Sequence, residues 1–239
     1  MESKGDEMQM SVATARNHVP ESPRRTAQVI PAAHRFATPE VGGLAGVVLH
    51  YARGTEIVAE EDPADYIYQV VEGTVRSCKL LSDGRRQIGA FAMAGDYFGL
   101  EARATHGYAA EAITDVTLRL ISRSAAFTAA GRDPEVARTL WEVTAKGLDA
   151  SQRHALLLGR KTAVEKIGSF LQEMAERQGC QAEVELPMSR QDIADYLGLT
   201  IETVSRTMTQ LETAGTICLE TSRHVLLLRP SELARLSLC

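Results

Sequence analysis

Glu202, Ser205 and Arg206 are of the side-chain types that read base edges in the major groove of DNA. An arginine guanidinium can fork onto O6 and N7 of guanine, a glutamate can accept from N4 of cytosine, and a serine hydroxyl can serve several edges or lie against a thymine methyl. Their spacing puts all three on one side of a helix, within its first two turns, where a recognition helix makes its base contacts. Spacing alone leaves a second reading open. Glu202 and Arg206 stand four apart in the order that favours a surface ion pair, worth roughly a few tenths of a kcal/mol. Ser189, Arg190, Gln191, Thr200, Ile201 and Thr203 flank the three readers, and Arg223 lies further on; these are the candidate backbone or accessory contacts to DNA.

Two short helices and a tight turn must hold these groups. Ser189 can cap the first helix, with Ile193, Ala194 and Leu197 as its buried stripe and small Ala194 allowing a close crossing. Gly198 supplies the turn. Thr200 caps a second helix whose inner face is Val204, Met208 and Leu211, leaving Ile201, Glu202, Ser205 and Arg206 outward. Ahead of this pair, Thr162 to Glu176 predicts a helix with Val164, Ile167, Phe170, Leu171 and Met174 inside. Behind it, two apolar runs flanking Thr221-Ser222-Arg223 predict a hairpin wing whose tip can touch phosphate.

Charge opposes a DNA role and placement restores it. The chain carries a formal −5, and residues 161–239 hold eight Lys/Arg against eleven Asp/Glu, a net −3. Nonspecific affinity should therefore be modest, because phosphate neutralisation supplies most of it. However, Arg190, Arg206 and Arg223 lie in or beside the motif, whereas Glu173, Glu176, Glu183 and Glu185 precede it.

The N-terminal half has another character. Residues 1–38, with Pro20, Pro23 and Pro31 and no amphipathic period, read as a flexible or loosely docked arm. From about residue 44 to 122, short apolar runs alternate with glycine turns. Tyr66-Ile-Tyr-Gln-Val-Val is a strand and Ser82-Asp-Gly-Arg the strongest hairpin signal, so residues 39–132 read as a small β-barrel or jelly roll. Asp133 then caps a helix with Pro134 at its first position, spanning about 133–159. Along it Val136, Leu140, Val143, Gly147, Ala150, His154 and Leu157 recur at spacings of four and three, a coiled-coil period that predicts pairing with a second copy; the same face could instead rest on the barrel. Residues 160–239 complete a winged helix-turn-helix.

The segment Met188 to Arg206, above all Leu199-Thr-Ile-Glu-Thr-Val-Ser-Arg206, resembles the DNA-binding motif of the CRP/FNR superfamily of bacterial transcription regulators. Its Glu-x-x-Ser-Arg form is similar to the FNR and FixK branches; the cyclic-AMP receptor branch typically has Gly where Ser205 stands. Gly54, Ile67 to Gly73, Asp83-Gly84-Arg85, Ala94 to Gly99 and the helix before Lys161 follow the family's order. The resemblance implies an α+β chain with a cyclic-nucleotide-binding-like β-barrel as effector domain, a dimerisation helix and a C-terminal winged helix. It also implies a homodimeric activator of the oxygen-limitation response, working with RNA polymerase on TTGA and TCAA half-sites.

Three sensors are tested against the sequence. A cyclic nucleotide would need an arginine for its phosphate near His106-Gly107, which offers none; Arg103 is off-pattern and Glu101 displaced. An FNR-type iron–sulfur cluster would need thiolates near the N-terminus, and the first 77 residues contain no cysteine. His18, His34, His50, His106, His154 and His224 are isolated and form no haem motif. The expectation is a regulator that needs no cofactor or metal, as the FixK-like branch implies, with a ligand-dependent regulator as the rival. Cys78, Cys180, Cys218 and Cys239 show no paired spacing, so neither a disulfide framework nor a zinc site is indicated; Cys180, in a loop after Arg177, is the candidate redox switch. No nucleophile with a paired base or phosphate-binding glycine loop argues for an enzyme. No apolar run approaches a membrane span and no signal-peptide core opens the chain, so a cytoplasmic protein without membrane contact is expected.

Overall fold

The computed structural model describes residues 28–29 and 44–238. Most of the expected arm at 1–38 therefore lies outside the described residues; Gln28–Val29 (β1) pairs antiparallel with Val47–Tyr51 (β2). Two sheets form the N-terminal unit. The first runs β1, β2, Val116–Ser122 (β9), Tyr66–Glu72 (β4) and Tyr97–Phe98 (β7). The second runs Glu56–Val58 (β3), Ala109–Ala112 (β8), Thr74–Leu80 (β5) and Arg86–Met93 (β6). Tyr51, Tyr68, Val70 and Leu118 of one sheet share a core with Val75, Ala92, Ala110 and Ala112 of the other, the interdigitation that makes a sandwich or jelly roll. As the Ser82-Asp-Gly-Arg pattern predicts, β5 and β6 are joined by a tight turn, in which Gly84 takes φ +83° and donates to the Leu81 carbonyl at 2.9 Å.

A short helix, Arg123–Ala130 (α1), was not legible in the sequence; Ser122 caps it. The long helix Pro134–Arg160 (α2) starts at the Asp133-Pro134 pair, whose carboxylate accepts from the Glu135 amide at 2.9 Å. Lys161 turns extended and Thr162 opens Ala163–Gln178 (α3) with a reciprocal capping box to Glu165. Arg190–Leu197 (α4) and Ile201–Thr213 (α5) follow, then Ile217–Leu219 (β11), His224–Leu227 (β12) and Pro230–Leu238 (α6). Glu183–Glu185 (β10) pairs with β12 in a three-stranded sheet ordered β10, β12, β11, the wing. Gly168 of α3 meets Leu236 of α6, where an added Cβ would lie 3.0 Å from Leu236 Cδ1, so the glycine permits close packing of the two helices.

One apolar core crosses the boundary between the two halves. Ile88 and Phe91 of β6 join Leu157 of α2, Phe170 of α3, Ile193 and Tyr196 of α4 and Val204 of α5. The rings of Phe91, Phe170 and Tyr196 stand 5.1 to 6.4 Å apart, and His154 stacks on Tyr196 at 4.1 Å. Several residues of the expected dimer seam already have partners within their own chain. Val136 and Leu157 are only 2% and 7% exposed within their own chain, Leu140 packs against the Ile67–Ile121–Ala126 cluster, and His154 lies on Tyr196. Val143 is half-buried, and only Gly147 and Ala150 stand exposed. The heptad stripe is used at both ends to dock the β-domain and the C-terminal domain, because an apolar period records burial and not the identity of the covering surface. Trp141 (72% exposed) and Leu148 (60%) instead share an outward face with Ala137 and Ala155.

Candidate nucleic-acid interface

Helix α4 is held at both ends. Ser189 Oγ accepts from the Asp192 amide at 3.1 Å while Asp192 Oδ2 accepts from the Ser189 amide and hydroxyl, at 3.0 and 2.7 Å. Gly198 closes the helix in the left-handed region at φ 61°, and its amide returns to the Ala194 carbonyl. Thr200 Oγ1 then accepts from the Thr203 amide at 3.2 Å and starts α5. Ile193, Ala194 and Leu197 bury against Val204, Met208 and Leu211, so the two helices move as one body.

That packing leaves Glu202, Ser205 and Arg206 exposed together on one side of α5, with Ile201 (37% exposed) and Thr200 at its start. Glu202 turns to its own backbone amide and to the Thr200 hydroxyl, which hold its pKa below the ordinary glutamate value. The Glu202–Arg206 ion pair left open by their spacing does not form, and the Arg206 guanidinium has no hydrogen-bond or ionic partner among the described residues. It extends from the first turns of the helix with its five donors unspent.

The accessory positions divide. Ser189 and Thr200 spend their hydroxyls on capping, Gln191 is exposed and bonds Asp195 Oδ1 at 2.7 Å, and Thr203 is half-buried beside Thr200. Arg190 is half-buried; burial lowers its pKa, and its Nη1 has no partner among the described residues, so its side chain lies against the domain. Arg223 is exposed at the wing turn, where Thr221 Oγ1 accepts from its amide at 3.1 Å. Beside it His224 faces Glu220 at 2.7 Å and Glu183 at 3.3 Å, contacts that raise its pKa. The hairpin tip thus presents one arginine beside a strongly acidic base.

Cys180 is half-buried and follows Gly179, its amide bonded to the Ala175 carbonyl at 3.1 Å. Arg177, the cation expected to favour its thiolate, is committed to Asp96 and Glu173. Burial pushes the Cys78 thiol up to about 11, which makes it inert. Cys218 is half-buried on β11, and Cys239 lies outside the described residues.

The β-domain loop at 99–107 is internally braced. Gly99 takes φ +79° with the Tyr66 carbonyl where a Cβ would stand, at 2.8 Å. Tyr68 and Phe98 stack at 4.7 Å, and His106, 1% exposed, bonds Glu101 at 3.2 Å. Glu101, read as a displaced loop acid, therefore has a partner inside the loop. Arg123 donates to the carbonyls of Ala64, Glu101 and Arg103 at 2.7, 2.6 and 3.1 Å, which occupies its guanidinium. Of the other histidines, His50 bonds Thr117, while His18 and His34 lie outside the described residues.

Comparison with known proteins follows the same division. Residues 48–132 match the cyclic nucleotide-binding domain, and residues 165–236 the Crp-like helix-turn-helix domain. Over 227 residues the chain is 48% identical to the nitrogen fixation regulation protein FixK of Azorhizobium caulinodans, covering 93% of this chain and 87% of that one. It is 39% identical to the transcriptional activatory protein AadR of Rhodopseudomonas palustris over 168 residues, 69% of this chain and 70% of the relative. The solved structure of FixK2 from Bradyrhizobium japonicum shares 51% identity and a TM-score of 0.77, over 81% of this chain and 98% of that chain.

Proposed function

The chain belongs to the CRP/FNR superfamily of transcription regulators, in its FixK-like branch, and from that premise we propose that it activates transcription as a homodimer. The dimer binds a palindromic TTGA/TCAA-like operator without a bound cofactor and recruits RNA polymerase. The single observation that carries this reading is the exposed Arg206, without a partner among the described residues, beside Glu202 and Ser205 on the outer face of an α5 that Thr200 caps. A dimer presenting two such helices selects half-sites with centres about one helical turn apart.

Arg206→Ala is the direct test. Losing a bidentate contact to guanine should cost about 1–3 kcal/mol and relax the preference at that base pair alone. Titration against duplexes carrying each of the four base pairs there reads both effects. Undiminished discrimination in the variant would remove Arg206 from base reading.

Cofactor independence is supported by the loop at 99–107, where the Arg123 guanidinium is spent on the carbonyls of Ala64, Glu101 and Arg103, although His106 Nε2 and Glu101 Oε2 are buried there without a partner among the described residues. The rival reading, in which a small effector must bind first, draws on the match of residues 48–132 to a nucleotide-binding domain. Retardation of a TTGA/TCAA duplex by purified protein without additives separates the two. Cys180 is the position at which oxidation would lower DNA affinity, by adding negative charge or bulk to a domain already at net −3. Peroxide should weaken operator binding by the parent and spare Cys180→Ala; equal losses in both would exclude this cysteine.

A further inference from the structure

The two halves are joined by one chain crossing, at Lys161-Thr162, so the orientation of the recognition helix depends on what ties α4 to the β-domain. The apolar part of that seam, Phe91 against Tyr196, is non-directional. Its polar part is strongly directional. Arg76 Nη1 and Arg86 Nη2 both donate to Asp192 Oδ1 at 2.7 Å, and Arg86 Nε donates to Asp195 Oδ2 at 2.8 Å. Gln87 Nε2 adds a bond to the Asp195 carbonyl, also at 2.8 Å. Arg76 is itself braced across the sheet by Glu111, its register partner on β8. The Asp192 side chain is 6% exposed and that of Asp195 13%, so solvent screens these pairs little.

Asp192 serves both sides of the seam at once. Its Oδ2 caps α4 through Ser189 while its Oδ1 receives the two guanidinium groups. Burial would raise its pKa, but the Ser189 hydrogen bonds and the charges of Arg76 and Arg86 bring it below the ordinary aspartate value. The same contacts that close the clamp thus favour the charged carboxylate. With the clamp closed, Glu202, Ser205 and Arg206 remain exposed on the far side of α5, so the docking presents the reading face and does not cover it.

We propose that Arg76 and Arg86 are positioning residues for operator recognition: by holding Asp192 and Asp195 they fix α4, and with it α5, in the orientation that sets which half-site separation the dimer accepts. The proposal rests on the dimeric, two-half-site reading above. It assigns to the β-domain a part in DNA specificity that needs no ligand and no contact with DNA.

The test uses the full chain in two forms, the parent and Arg76→Met with Arg86→Met. Each is titrated against TTGA/TCAA duplexes with the preferred separation and with one or two base pairs inserted. The methionine variant should lose about tenfold of the parent's discrimination between separations, the scale of one hydrogen bond to a charged group. The loss should fall on the preferred site alone, whereas a merely misfolded fraction would weaken every duplex by the same factor.

Calorimetry on the same proteins reads the clamp without DNA: one cooperative transition in the parent, two resolved transitions in the methionine variant. An unchanged separation ratio in that variant overturns the proposal, as does tighter binding of the preferred site, which would make the clamp inhibitory. If the parent itself ignores half-site separation, the two-half-site reading fails instead. A single unchanged transition in the methionine variant would then sink the clamp as well.

Discussion

Glutamate at both Trp141 and Leu148 is expected to convert the protein to monomers in sedimentation and to weaken binding of the two-armed operator by about 10²–10⁴-fold, the range lost when two linked contacts become independent. The argument starts from exposure. A tryptophan 72% exposed and a leucine 60% exposed, seven residues apart on one face of α2, form an apolar line whose burial against a second copy would remove it from water. Intrahelical pairs such as Arg138–Glu142 and Arg153–Asp149 border that line without crossing it. Folding should be nearly untouched, because changes at exposed positions stay within about 0.5 kcal/mol. Affinity for a duplex with a single arm should also be unchanged. A double variant that stays dimeric would move the interface elsewhere. Asp at Leu140, by contrast, should damage folding, since Leu140 packs against Ile67, Ile121 and Ala126 of its own chain.

Phe170→Ala is expected to destabilise the chain by about 3–5 kcal/mol, the ordinary cost of emptying a fully buried phenylalanine site. Phe170 is 0% exposed and sits between Phe91 of the β-domain and Tyr196 of α4, so both halves line the resulting cavity. The surrounding rings cannot easily collapse into it, because His154 already stacks on the other face of the cluster. Urea unfolding should show the midpoint fall in both halves together. A loss under about 1 kcal/mol would mean that the shared core is looser than its burial indicates.

Local chemistry was the legible part of this chain. The caps at Ser189, Thr200, Thr162 and Asp133, the turn at Gly198 and the hairpin at Asp83-Gly84 each sit where nearby residues dictate, and all formed. The outward placement of Glu202, Ser205 and Arg206 followed from the same short-range logic. What spacing could not give was the identity of a partner surface. The stripe from Val136 to Leu157 had the period of a coiled coil, yet its ends cover Ile67 and Tyr196 of the same chain. Asp192 carried no signal of its own in the sequence, because its guanidinium partners stand 116 and 106 positions away on β5 and β6. Helix α1 gave little periodic signal, with alanine and small polar residues over most of its length. Helix α6 had a Pro-Ser-Glu start that went unread beside the stronger wing pattern.

The shared carboxylate of Asp192 bears on how this architecture can be recombined. A helix-turn-helix unit lifted out at Lys161 and grafted onto a β-domain lacking cations at the places of Arg76 and Arg86 would leave the carboxylates of Asp192 and Asp195 without their cationic partners at the seam. Under the proposal above, such a graft should fold with its caps intact and yet lose its preference between half-site separations until both arginines are supplied with it.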